Sequence, residues 1–323
     1  MAYDARGVLV PFDFSLIMEH LPTLKHLALE LTVISFDDPI DSSNIEPKHW
    51  QTLARIISDR YDSHEGFVVL HGTDTMAYTA SALSFMLSGL SKPVVFTGAQ
   101  LPITQPRSDA RENLITALEI ASERKNGVAL VPEVCIYFNY ELLRGNRSKK
   151  VESMQFDAFD SGNYPPLARA GVKMDYNFSA IRPPGKQSLQ LLTRFNTNIS
   201  VLKLFPGISE SVVRAVLSTP GLHAVVLETY GSGNAPTSES LLQPLREAID
   251  RGILIVNVSQ CLGGRVMQGR YETSRDLQRM GVVSGADMTT EAAITKLMVL
   301  MGEFGIERTR MLVTESLAGE LTI

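Results

Sequence analysis

The feature that most constrains this chain is a repeated alternation of short apolar runs with amphipathic stretches of helical period. Gly66 to Leu70, Pro93 to Thr97, Ile199 to Phe205, His223 to Tyr230 and Ile253 to Val258 are brief and rich in Val, Leu and Ile. Pro47 to Tyr61, Thr75 to Leu90, Ser108 to Arg124, Ser209 to Ser218 and Ser238 to Arg251 space their apolar residues helically. Strands alternating with helices of this length form parallel sheets joined by helical crossovers. Ala28 to Phe36 and Val128 to Phe138 also read as strands, and Thr290 to Phe304 with Glu307 to Leu317 as helix. Met1 to Pro11 is polar and reads as a loop.

The alternation breaks once. Asn139 to Asn163 is polar, and a Pro- and Gly-containing stretch follows through Pro183-Pro184-Gly185. The boundary is expected between Ser188 and Asn198, giving two α/β domains at 1–190 and 198–323. A 44% hydrophobic, 20% charged composition with net charge -5 is that of a globular protein, with no basic run for nucleic acid. Arg147-Ser148-Lys149-Lys150 is too short for a polybasic patch. No stretch reaches the roughly 18 apolar residues that span a membrane, and no signal peptide is expected. The two cysteines, Cys135 and Cys261, lie in apolar runs and read as buried free thiols, consistent with a reducing cytoplasm.

Chemistry concentrates where strands end. In Val69-Leu70-His71-Gly72-Thr73-Asp74-Thr75-Met76 an apolar strand enters a glycine turn with two hydroxyls and a carboxylate, and a helix follows. This is the strand end at which open α/β sheets bind ligands, beside the positive end of a helix. Thr73 and Asp74 can face a polar ligand there, or Asp74 or Thr75 can simply cap the helix. Asp41-Ser42-Ser43-Asn44 reads either as a second polar loop or as a cap-and-turn cluster. Lys150 can lower a hydroxyl's pKa or act as a base, or sit on the surface. Asn234 lies in the glycine-rich run Tyr230 to Pro236 just past a strand, which is also a plain turn. The scattered histidines offer no metal-binding spacing, and no phosphate-binding glycine motif is present. No cofactor is expected.

Together these runs resemble the asparaginase family, its cytoplasmic type I branch in particular. Leu70 to Ala80 resembles the family's second signature. Ordered matches extend through Asp41-Ser42-Ser43, Thr97-Gly98-Ala99-Gln100, Arg144-Gly145-Asn146-Arg147, Phe205-Pro206-Gly207-Ile208, Tyr230 to Pro236 and Gly285 to Thr289. The resemblance implies a larger, doubly wound, flavodoxin-like N-terminal domain and a smaller C-terminal α/β domain. It also implies a dimer or tetramer with its site between subunits, and metal-free hydrolysis of L-asparagine by a threonine nucleophile. Thr73, Asp74 and Lys150 match the family's catalytic positions. Asp41, Ser42 and Ser43, with Thr73 and Asp74, match the loops that hold substrate, and Asn234 matches the asparagine reaching in from the partner.

Two departures stand out. The family's first signature, Thr-Gly-Gly-Thr-Ile-Gly, carries the nucleophile and does not occur in this sequence. Met1 to Pro11 resembles the loop that follows it, where the family's tyrosine falls by spacing near Val8, with Tyr3 close by. The expectation is a start assigned at an internal Met, with strand and nucleophile upstream. Losing an internal strand would strand buried backbone groups at about 1–3 kcal/mol each. A naturally truncated, inactive amino-acid-binding relative is the alternative, and an ammonia-releasing amidotransferase subunit is another. The second departure is at the type I effector site. Glu228 replaces an arginine there and Ser259-Gln260-Cys261 replaces Thr-x-Cys, so altered or absent allosteric control is expected.

Overall fold

A computed structural model describes residues 2–3, 9–10, 24, 27–270 and 272–322. The chain divides into two compact units, Met1–Leu191 and Leu192–Ile323.

In the first unit, α1 (Pro47–Asp59) precedes β1 (Phe67–Leu70). Then come α2 (Met76–Met86), β2 (Val94–Thr97), α3 (Ala110–Ser122) and β3 (Val134–Phe138). The hairpin strand β4 (Glu141–Arg144) follows, with β5 (Ala168–Ala170) and β6 (Met174–Tyr176). Their sheet has the order β6-β5-β4-β3-β2-β1. The strands β1, β2 and β3 run parallel, and β4 to β6 extend the sheet antiparallel. A parallel sheet is covered on its faces, which is why β2 and β3 are buried throughout and mostly apolar. Val95, Cys135, Tyr137 and Leu142 pack against Ala117, Ile120 and Ala121 of α3.

Three expectations change here. Ala28 to Phe36 is not a strand but irregular chain, with Val33 and Ile34 45% and 42% exposed. An apolar run becomes a strand only beside a ladder partner. Among the described residues β1 pairs only with β2, and its outer edge is open. Val128 to Phe138 splits into Val128–Ala129 and β3, because Pro132 between them has no N–H for a ladder. Within Met1 to Pro11, Ala2–Tyr3 pairs antiparallel with Leu9–Val10 rather than forming loop throughout, while Val8 lies outside the described residues.

The second unit contains β7 (Ile199–Lys203), α4 (Glu210–Leu217), β8 (Ala224–Thr229), α5 (Glu239–Asp250) and β9 (Leu254–Ser259). It ends with α6 (Glu272–Arg279), β10 (Val283–Ser284) and α7 (Thr290–Leu312). The sheet β7-β8-β9-β10 is parallel. Strand alternation divides its side chains between two layers. Val225, Leu227 and Ile255 meet Val213 of α4 and Leu241 and Leu245 of α5, while Val226, Val256 and Val258 meet Ala293 and Leu297 of α7. Gly305, at φ 73°, breaks α7 within what is otherwise one helix. On α7, fully buried Lys296 pairs with fully buried Glu320 at 2.5 Å and donates to the carbonyls of Val313 and Glu315. Glu320 also accepts from the amides of Leu317 and Ala318, so the pair pins the last turn of chain onto the helix.

Candidate active site

The apolar strand β1 stops at Leu70 because Gly72 follows and the chain turns through a 3-10 turn, Thr73–Thr75, into α2. Gly98 at the end of β2 lets the two strand ends close up, since a Cβ there would lie 2.4 Å from the His71 carbonyl oxygen. Gly72 packs equally tightly on the second polar loop. A Cβ on it would stand 2.6 Å from Ser42 Oγ. Thr75 Oγ1 donates to the Ser42 carbonyl at 2.7 Å. The two loops singled out from the sequence are therefore one surface, with Ser42 buried at its centre.

Lys150 completes the cluster. Its short strand, Lys149–Lys150, pairs with Phe159–Asp160. Its ammonium donates to Thr73 Oγ1 and to Asp74 Oδ1, each at 2.7 Å. Thr73 in turn donates to Gln100 Oε1 at 3.2 Å. Gln100 is fixed from behind, where its backbone N–H donates to the Asp109 carboxylate and its amide to the Gln155 carbonyl. The Asp74 side chain is 61% exposed and that of Lys150 17% exposed. Such a carboxylate offers its outer oxygen to an incoming cation while the lysine stays in place.

The turn leading to Lys150 stands on a buried strut. Glu133 and Arg144 pair through Nε at 2.6 Å and a second guanidinium nitrogen at 3.1 Å, both side chains 3% exposed. The Arg144 guanidinium also donates to the Ala180 carbonyl and lies 4.2 Å from the centre of the Tyr164 ring. Ser148 Oγ donates to the Arg144 carbonyl, tying the 3-10 turn Gly145–Arg147 to the strut two residues before Lys150.

The remaining sequence candidates divide. Asp41 spends one oxygen capping its own turn, accepting from the Ser43 amide at 2.8 Å, and Ser43 is exposed beside it. In the second unit Asn234 closes the turn Tyr230–Asn234 and its side-chain oxygen accepts from Thr273. Gly233 in that turn adopts φ 98°, a conformation suited to glycine. Glu228 lies on the α7 face of its sheet, buried, accepting from Thr290 Oγ1 and facing Lys203 at 3.5 Å. Ser259 pairs in register with Thr229, so it lies on the opposite face and donates to the Gly231 carbonyl. Cys261 is exposed, not buried as its sequence setting suggested, because β9 ends at Ser259. Cys135 is buried in β3, and burial pushes its thiol pKa well up. Sequence reasoning did not single out Gln100, Asp109, Glu133 or Trp50 as site-supporting residues. Only the Thr97-Gly98-Ala99-Gln100 and Arg144 to Arg147 runs pointed towards the first and third.

The geometry can be compared with known proteins. The family described as asparaginase, N-terminal, matches residues 1–182, and the glutaminase/asparaginase C-terminal domain matches residues 198–310. L-asparaginase 1 of Escherichia coli K12 is 45% identical over 294 residues, spanning 91% of this chain and 85% of that protein. The crystal structure of L-asparaginase I from Vibrio cholerae superposes with a TM-score of 0.84 at 39% identity, covering 93% of this chain and 92% of that one. The thermostable L-asparaginase from Thermococcus kodakarensis superposes with a TM-score of 0.90 at 34% identity, covering 100% and 95%.

Proposed function

Since this chain belongs to the asparaginase family, we propose that it hydrolyses the side-chain amide of L-asparagine to L-aspartate and ammonia at the Thr73–Asp74–Lys150 cluster. The observation that carries this reading is the single Lys150 ammonium shared at 2.7 Å between Thr73 Oγ1 and Asp74 Oδ1. An amide is a poor electrophile, so its hydrolysis calls for an activated oxygen nucleophile and a route for the proton it sheds. A proton shed by the nucleophile passes through Thr73 Oγ1, and the Lys150 ammonium, held by Asp74, stabilises the negative charge that develops. The same proton then leaves with ammonia as the C–N bond breaks. The free oxygen of Asp74 takes the substrate's α-ammonium. The Asp41-Ser42-Ser43 loop holds the substrate's α-amino and α-carboxylate groups.

The finer reading is a covalent route through a threonine hydroxyl, of the kind the family's first signature carries. No Thr-Gly-Gly-Thr-Ile-Gly run occurs in these 323 residues, so Lys150 is the position on which the reading is tested. The reading extends to a cytoplasmic homo-oligomer, a dimer or tetramer, in which Asn234 reaches into a neighbouring site. The run Tyr230 to Pro236 supports that role, and the two free thiols support the compartment.

The experiment is ammonia release from L-asparagine by the purified protein and by its Lys150→Met variant. Loss of about 100-fold or more in kcat is expected for the variant, the scale of a lost general acid–base group. Equal rates in the two proteins would overturn the assignment. Asparagine bound by the unsubstituted protein without ammonia release would select the inactive amino-acid-binding reading instead.

A further inference from the structure

Behind the candidate site lies a hydrogen-bond chain that none of the roles above uses. Trp50 on α1 donates its indole N–H to Thr79 Oγ1 on α2 at 3.0 Å. Thr79 Oγ1 lies 2.9 Å from His71 Nε2, and His71 Nδ1 lies 2.6 Å from the carbonyl oxygen of Gly72. Trp50 and Thr79 are 6% and 1% exposed. The His71 ring also meets Phe96 edge-on, with centroids 6.0 Å apart.

The direction of this chain follows from its first member. An indole nitrogen only donates. Thr79 therefore accepts from Trp50 with its oxygen, and its one proton points at His71 Nε2. That nitrogen must be bare, so the ring proton sits on Nδ1 and is donated to the Gly72 carbonyl. The opposite tautomer would set the Nδ1 lone pair against the carbonyl oxygen and leave the Thr79 proton without its acceptor. Trp50 thus fixes the Thr79 hydroxyl that, together with the Gly72 carbonyl, sets the tautomer of a histidine one residue before Gly72.

We propose that the Trp50–Thr79–His71 chain is a positioning device that fixes the Gly72–Thr73 peptide and so holds Thr73 Oγ1 in reach of Lys150. The proposal rests on the asparaginase reading of the site. The Gly72 carbonyl is the lever. It is held by the His71 ring, its Cα is pressed on Ser42, and the next residue carries the hydroxyl that Lys150 grips. Rotating that peptide moves Thr73 Oγ1 away from Lys150. Burial pushes the His71 pKa down, opposed by the Gly72 carbonyl, which keeps the ring neutral as the chain requires. His71 is a positioning residue, acting through Thr73.

The test joins a spectrum to a rate, both on the full chain. Histidine labelled with 15N reports the tautomer, because protonated and bare ring nitrogens resonate far apart. The unsubstituted protein should show His71 with Nδ1 protonated. Trp50→Phe and Thr79→Val should give a mixture or the other tautomer, and Thr79→Ser should restore the first. The same two disruptive variants should lose roughly 10- to 100-fold in kcat with KM nearly unchanged, the scale of a small misplacement of a reacting group. A folded Trp50→Phe protein that keeps both the tautomer and the rate overturns the proposal. So does a tautomer change without a change in kcat. Should Thr79→Val fail to fold, Trp50→Phe and Thr79→Ser carry the test. Absence of ammonia release from the unsubstituted protein removes the asparaginase reading and the catalytic role with it. The tautomer spectra then still decide whether Trp50 governs His71.

Discussion

Arg144→Met tests whether the strut below Lys150 is electrostatic or merely space-filling. The substitution keeps a long apolar side chain and removes the guanidinium. It takes away two hydrogen bonds to Glu133, one to the Ala180 carbonyl, and the contact over Tyr164. Glu133, 4% exposed, is then left without its guanidinium partner, with the Arg182 amide still donating to it at 2.5 Å. Breaking one half of a buried pair costs about 3–5 kcal/mol, far more than the net worth of the pair, because a charge is left behind. Tyr164 and the Ala180 carbonyl add to this, and relaxation of the chain subtracts from it. A loss of about 4 kcal/mol corresponds to a fall of roughly 1.3–2 M in the urea midpoint for a slope of about 2–3 kcal/mol/M. Trp50, the one tryptophan in the chain and buried in the first unit, reports the transition by fluorescence. The double variant Arg144→Met/Glu133→Leu removes the stranded charge and should recover more than half of the loss. A single variant within about 1 kcal/mol of the parent, or a double variant no better than the single, refutes the reasoning.

Other outcomes follow from the same physical chemistry. Gly72→Ala drives a methyl to 2.6 Å from Ser42 Oγ, so KM for asparagine should rise at least about tenfold while the unfolding midpoint moves little. Lys296→Met strands the Glu320 carboxylate and two carbonyls in the second unit, and its thermal midpoint should fall by roughly 10–20 °C in calorimetry. His71 has its folded-state pKa lowered by burial, so just below the ordinary histidine value of about 6.5 the unfolded chain binds the extra proton. Stability therefore rises with pH through that window and levels off above it, and His71→Gln should flatten the rise in urea midpoints measured from about pH 5 to about pH 7.5. Exposed Cys261 should react with a thiol reagent in the native protein within minutes, whereas Cys135 reacts only on unfolding.

The alternating pattern was legible because period-2 and period-3.6 burial leave their mark on every residue of an element. It placed β1, β2 and the whole β7 to β9 layer within a residue or two, and overran the start of β3 by six residues. It failed at Ala28 to Phe36, where composition asks for a strand but a strand exists only beside a partner. At the site, the strand-turn-helix at Leu70 to Met76 was readable from chemistry alone. Lys150 was not. It stands 77 positions from Thr73, and only family resemblance joined them before the contact was seen. The face parity that separates Glu228 from Ser259 was written in the sequence, since strand residues of opposite parity point apart. The buried chain through Trp50, Thr79 and His71 left no sequence signal, because each residue is individually ordinary for its element.

The Lys296–Glu320 clip also has a consequence for the order in which the protein can be made. As the chain leaves the ribosome, α7 emerges before its buried lysine has a carboxylate to meet. Until residue 320 arrives, burying Lys296, fully buried in the folded unit, would bury an ammonium without its carboxylate, so that layer of the second unit stays unsealed. The first unit carries its own strut, turn and helices within residues that emerge earlier. Synthesis therefore closes this layer of the second unit last, and a fusion or truncation near residue 320 acts on the clip that closes it.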